Sequence, residues 1–108
     1  MAVARLDGDA ITDWGTFHDA CAVEFGFPDF YGRNMNAWID CLSYIDVGDG
    51  MSRFVLEPGE VLRVELSHSE SLRQRVPDVL AELEGCTRIV NQRFIDAGGE
   101  PRLQLALL

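Results

Sequence analysis

The chain is 108 residues long, which leaves room for one domain and one core. With 47% apolar and 25% charged residues it has the composition of an ordinary globular domain, not of a disordered segment. A net charge of -9 argues against nucleic acid or an anionic membrane as a direct partner, since both would be repelled, and favours encounter with a basic protein.

Ala2 to Leu6 is a short apolar run ended by the turn signal Asp7-Gly8-Asp9, and reads as a strand. Thr12 or Asp13 then caps a helix reaching about Glu24, with Trp14, Phe17, Cys21 and Phe25 on one face. His18 lies one residue off that stripe and reads as a surface or edge histidine. Phe27-Pro28 stops the helix, because the residue before proline is driven out of helical dihedrals. Phe30 and Tyr31 follow, then Gly32, able to take a backbone conformation other residues resist. Asn34 caps a second helix running to about Tyr44. Met35, Trp38, Leu42 and Ile45 share its apolar face, while Asn36, Asp40 and Ser43 form a narrow polar strip with Ile39 at its edge.

Asp46 to Ser52 is an exposed loop rich in Gly and Asp, and Phe54 to Leu56 is either a brief strand or an apolar plug over the core. Pro58-Gly59 is a turn, Val61 to Leu66 a strand, and Glu70 to Arg75 a short helix capped by Ser67, Ser69 or both. From Val76 onward, with Pro77 in the first turn, Leu80, Leu83, Thr87, Val90, Phe94 and Ala97 recur at steps of three and four, which predicts one long helix to about Ala97. Gly85 inside it marks either close packing or a break. Gly98-Gly99 ends the helix, and Arg102 to Leu108 is a terminal strand. The order strand, helix, helix, strand, short helix, long helix, strand predicts an α/β fold, a small three-stranded parallel sheet packed with helices.

Enzyme readings are weak. Gly48-x-Gly50 lacks the lysine and further glycine of a phosphate loop, and the two histidines lack metal-ligand spacing, so neither metal nor cofactor is expected. Cys21, Cys41 and Cys86 are odd in number and contain no CxxC pair. They read as buried thiols in a reducing cytosol. A Cys41–His18 nucleophile pair is conceivable only if Cys41 points away from the core. No segment approaches the ~18 apolar residues of a membrane span and the start lacks a signal pattern, so a soluble cytoplasmic protein is expected, with no membrane partner. Asp40 stands out among the carboxylates because aspartate is a poor mid-helix residue. Either it serves a partner, or it is a cap or salt bridge to Arg33 or Arg53.

The ungapped run Tyr31-Gly32-x-Asn34-x-x-Ala37-x-x-Asp40-Cys41-Leu42 resembles the barstar family, small intracellular inhibitors of secreted microbial ribonucleases. A looser likeness covers the order of elements and the terminal strand. The resemblance implies a barstar-like fold, no catalysis, and a basic extracellular, guanyl-specific ribonuclease as protein partner; separately, the free protein is expected to be a monomer. It further implies that Asp40 occupies the phosphate subsite of the enzyme, offering acceptor oxygens to arginines that would grip the phosphodiester. Flanking contacts implied in the same way are Phe30, Tyr31, Gly32, Asn34, Met35, Asn36, Ile39, Ser43, Tyr44, Ile45 and Asp46, with Met35 and Ile45 shared between core and contact.

The chain departs from the family's pattern at three places. Asn36 stands where barstar has a second acid, four residues before the aspartate. Ile39 replaces a tryptophan, and Trp38, one position earlier, turns the large ring toward the core and leaves a smaller apolar patch. The family's acidic contact near the end of the last long helix corresponds to Glu84 only if Gly85-Cys86 ends the helix; the preferred long-helix register puts Arg93 or Phe94 there. Asn36 and Ile39 favour the alternative of a barstar-like interaction module with a non-ribonuclease partner.

Overall fold

The computed structural model describes residues 2–108. Three parallel strands, β1 (Ala2–Asp7), β2 (Leu62–Ser67) and β3 (Leu103–Leu107), lie in that spatial order, with β2 central. Ala4 pairs with Val64 and Leu62 with Leu103, a register that puts Ala4, Leu6, Leu62, Val64, Leu66 and Leu103 on one buried face. The other face carries Arg5, Arg63 and Glu65. Arg63 Nε donates to Glu65 Oε2 at 2.9 Å and Arg5 Nε lies 3.2 Å from Oε1. The Arg63 hydrogen bond leads in holding the Glu65 carboxyl below its usual range. Strand alternation thus gives one apolar and one charged face, so the helical core forms on a single side.

Helix α1 (Trp14–Phe25) starts at Asp13, whose carboxylate accepts from Thr16 N at 2.8 Å while Thr16 Oγ1 accepts from Asp13 N at 3.1 Å. It ends at Gly26, whose φ of 65° and contact with Arg53 exclude a side chain: a Cβ there would come within 2.7 Å of Arg53 Cβ. Glu24 Oε2 accepts from Arg5 N at 2.6 Å and so covers the free edge of β1. Helix α2 (Met35–Leu42) follows, and Phe54 and Leu56 then act as a plug, not a strand: both are buried, and Leu56 N donates to Ile45 O at 2.7 Å.

Helix α3 (Ser69–Arg75) is not capped by serine as expected. His68, with φ 53°, precedes it without a side-chain cap. Ser67 Oγ instead ties β2 to β1, donating to Leu6 O at 3.3 Å, and Ser69 Oγ ties α3 to the residue after β3, donating to Leu108 O at 2.9 Å. Helix α4 (Pro77–Asp96) runs unbroken through Gly85 and buries Val79, Leu80, Leu83, Cys86, Thr87, Val90 and Phe94. Asn91 then pins the start of β3, its Oδ1 accepting from Leu103 N at 2.8 Å and its Nδ2 donating to Leu103 O at 3.0 Å.

Gly85 marks neither a break nor close packing. An added Cβ would meet only Arg88 Nη2, at 3.8 Å. Gly85→Ala is therefore expected to stabilise the protein by about 0.5–1 kcal/mol, because alanine surrenders less backbone entropy in a helix. A rise in the urea midpoint without a change in slope checks this; a fall would reveal packing that the open space denies.

Candidate partner-binding site

The loop before α2 is built outward from α1. Tyr31 is 8% exposed, its ring 4.5 Å from that of Phe27, and its hydroxyl lies 2.7 Å from His18 Nδ1. Burial pushes the Tyr31 phenol up. His18 is thus an enclosed structural partner, 4% exposed, not a surface histidine. The backbone strain falls on Arg33, φ 53°, and not on Gly32, which has no positive φ. Arg33 is held there by α1, its Nη1 donating to Asp19 Oδ1 at 2.6 Å and its Nη2 to Gly15 O at 3.1 Å. A side chain in this region costs about 1–2 kcal/mol, which those two half-exposed bonds offset only in part.

The tie between His18 and Tyr31 has a pH signature. Burial first, and then the Arg33 charge, hold the imidazole below its ordinary value of 6.5, with Asp19 opposing. The unfolded chain therefore takes up a proton more readily than the folded one. Stability is complete above the ordinary value and is lost as pH falls through it toward the folded-state value. Urea unfolding between about pH 7.5 and about pH 5 should show this decline, and His18→Gln should flatten it. An equal slope in the variant would move the cause elsewhere.

Asn34 caps α2 as its sequence position predicts: Oδ1 accepts from Ala37 N at 2.8 Å and Nδ2 donates to Gly32 O at 3.1 Å. Trp38 and Leu42 are fully enclosed, and Trp38 meets Phe25 edge-on at 6.1 Å. The Trp38 indole N–H has no nitrogen or oxygen partner among the described residues. Its polar neighbour is the Cys21 thiol, which burial pushes up to about 12 against that contact. Cys41 is 2% exposed and burial raises its thiol as well, while His18 bonds Tyr31, so the Cys41–His18 pair does not form.

Of the residues expected to face a partner, Phe30, Gly32, Asn34, Asn36, Asp40, Tyr44 and Asp46 are exposed, and Met35 and Ser43 are half-buried. Tyr31, Ile39 and Ile45 are not at the surface: they are 8%, 5% and 1% exposed. The expected apolar patch at Ile39 is therefore absent. The reason is that α4 packs beside α2, so this short helix is enclosed on two sides and shows only the strip through Asn36 and Asp40.

Asp40 points outward with its side chain 58% exposed. It is also paired, but not with Arg33 or with Arg53, which is engaged by Glu24. Arg93 of α4 donates through Nη1 to Asp40 Oδ1 at 2.9 Å and to Ser43 Oγ at 3.3 Å. Asp40 Oδ2 has no partner among the described residues. At half exposure this ion pair is worth about 0–1 kcal/mol, too little to lock the carboxylate away. The long-helix register puts Arg93 or Phe94 where the family has its acidic contact near the end of this helix. That Arg93 reaches across to α2 depends on tertiary packing.

A second acidic group, Asp7, Asp9 and His68, is exposed and satisfied locally: Asp9 N donates to Asp7 Oδ1 at 2.9 Å, and Asp9 lies 3.4 Å from His68 Nδ1. Among the described residues no helix is long and apolar enough to cross a membrane.

The fold and site define an α/β domain with one charged sheet face and a short helix that holds an acid at the surface. A sequence model of the family described as Barstar (barnase inhibitor) matches residues 1–106, and the chain belongs to that family. Its members are inhibitors, which makes a ribonuclease-binding protein the coarse functional class. The curated proteins include no match to the chain.

Proposed function

We propose that this protein is a cytoplasmic inhibitor of a secreted, guanyl-specific ribonuclease, and that it acts by placing Asp40 in the phosphate subsite of the enzyme. The observation that carries this reading is the outward Asp40 carboxylate with one oxygen free, on a helix enclosed from two sides. A carboxylate offers the acceptor geometry that bidentate arginines hold, yet contains no bond to cleave. Phe30, Asn34, Asn36, Tyr44 and Asp46, on α2 or the segments flanking it, are also exposed, while Tyr31, Ile39 and Ile45 are buried. The protein itself catalyses nothing in this reading. The net charge of -9 speeds encounter with a basic enzyme and makes the association rate fall with salt. Titrating the basic ribonuclease secreted by the same organism should show stoichiometric loss of activity; undiminished activity at excess inhibitor contradicts the reading.

Arg93 favours one rival reading, an interaction module for a partner that is not a ribonuclease. It adds a positive charge to a strip where Asn36 already lacks one acid. Under the inhibitor reading, an arginine of the enzyme must compete with Arg93 for Asp40. Arg93→Met should then raise affinity by up to about fivefold, the worth of a released surface pair, mostly through faster association. Weaker binding of the variant would make Arg93 a contact in its own right and favour the rival. Recovery of a non-nuclease partner by affinity capture, with no ribonuclease inhibited, would select the rival.

A further inference from the structure

Beside the start of α2 lies a cleft of about 530 Å³ between the first turns of α1 and α4. Trp14 and His18 line it from α1, their rings stacked at 5.9 Å with planes 25° apart, and the half-buried Met35 adds its thioether. Across from them Asp78 and Glu82 stand one turn apart on α4, both exposed and neither ion-paired among the described residues, with Glu82 Oε2 accepting a long bond from the Cys86 thiol at 3.8 Å. Arg33 sits at the rim, but Asp19 and Gly15 O already engage its guanidinium.

His18 supplies an independent sign of a ligand. Its side chain is almost wholly enclosed, Nδ1 is committed to Tyr31, and Nε2 has no partner among the described residues, yet Nε2 is not among the sealed, unsatisfied atoms. His18 lines the cleft, and that is the opening available to its remaining ring nitrogen. Because the Tyr31 hydroxyl can donate or accept, the ring can make Nε2 an acceptor when a donor arrives.

We propose that this cleft binds a guanidinium group, and that an arginine side chain of the basic partner fills it while α2 is engaged. A guanidinium matches what is present. Its plane lies against an indole and a thioether, and its several N–H donors serve two carboxylates and an imidazole nitrogen. An anion would face two acids, and an apolar side chain would strip water from two carboxylates and give His18 Nε2 no partner. The cleft is continuous with the partner-binding strip, because Asn34 and Met35 border both. The source of the arginine rests on the inhibitor reading; the site does not.

The test is an NMR titration of the whole protein with N-acetyl-arginine amide. Saturable shifts at the Trp14 indole and His18 ring are expected, with none from the uncharged N-acetyl-citrulline amide. Asp78→Asn combined with Glu82→Gln, both at exposed positions, should lower that affinity about tenfold or more and weaken ribonuclease binding to a similar degree. No saturable shift, or equal shifts with citrulline or in the double variant, overturns the site. Unchanged ribonuclease affinity in the double variant overturns the partner's arginine as its source. Arginine amide binding by a protein that inhibits no ribonuclease would uphold the site and strike down the inhibitor reading alone.

Discussion

Asp40→Ala is expected to lower affinity for the target ribonuclease by roughly 30-fold to several thousandfold, the equivalent of about 2–5 kcal/mol. That range is general to truncated, paired interfacial charges, and barstar's own complex is among its sources. The size follows from what is left behind. The phosphate subsite keeps its arginines, now desolvated and without an anion, so the loss includes their unpaired charge as well as the missing hydrogen bonds. The free protein should barely notice, since the pair with Arg93 is half exposed and worth about 0–1 kcal/mol. Asp49→Ala provides the control. Among the described residues Asp49 accepts only from Met51 N in its own loop, at 3.2 Å, and it carries a similar long-range charge. Equal losses for the two variants would mean that bulk charge, not placement, supplies the binding.

Trp38→Ala should have the largest effect on stability, about 3–5 kcal/mol in urea unfolding. Trp38 is 0% exposed and joins α2 to the Phe25 ring of α1, so truncation opens a cavity where two helices meet. Domains of this kind are stable by about 5–15 kcal/mol in total, so a sizeable share of the folded population is at stake. Trp38→Phe should lose much less, because it retains an aromatic ring and removes the one buried side-chain N–H without a partner among the described residues. If Trp38→Ala loses under about 1 kcal/mol, Trp38 does not anchor α2.

Much of this architecture was legible because local signals agreed with it. The Asp13 and Asn34 caps, proline at the start of α4 and the spacing of Trp38, Leu42 and Ile45 each depend on a few neighbouring residues. What escaped reading depends on contacts distant in sequence. His18 is buried because the loop around Tyr31 folds over α1, and Ile39 is buried on a short helix against which α4 packs. Arg33, not Gly32, takes the left-handed conformation because α1 holds its guanidinium, a cause invisible from residue type. The same holds for Asp40. Its place on a polar strip could be read from helical spacing, whereas its pairing with Arg93, 53 residues away, could not.

The most direct test of the inhibitor reading is competition on the enzyme between this protein and guanosine 3′-monophosphate, the nucleotide whose phosphate Asp40 is proposed to replace. Equimolar protein should displace the bound nucleotide completely, and the Asp40→Ala variant should do so only at far higher concentration. A stable ternary complex, with nucleotide and protein held together on the enzyme, would contradict the reading.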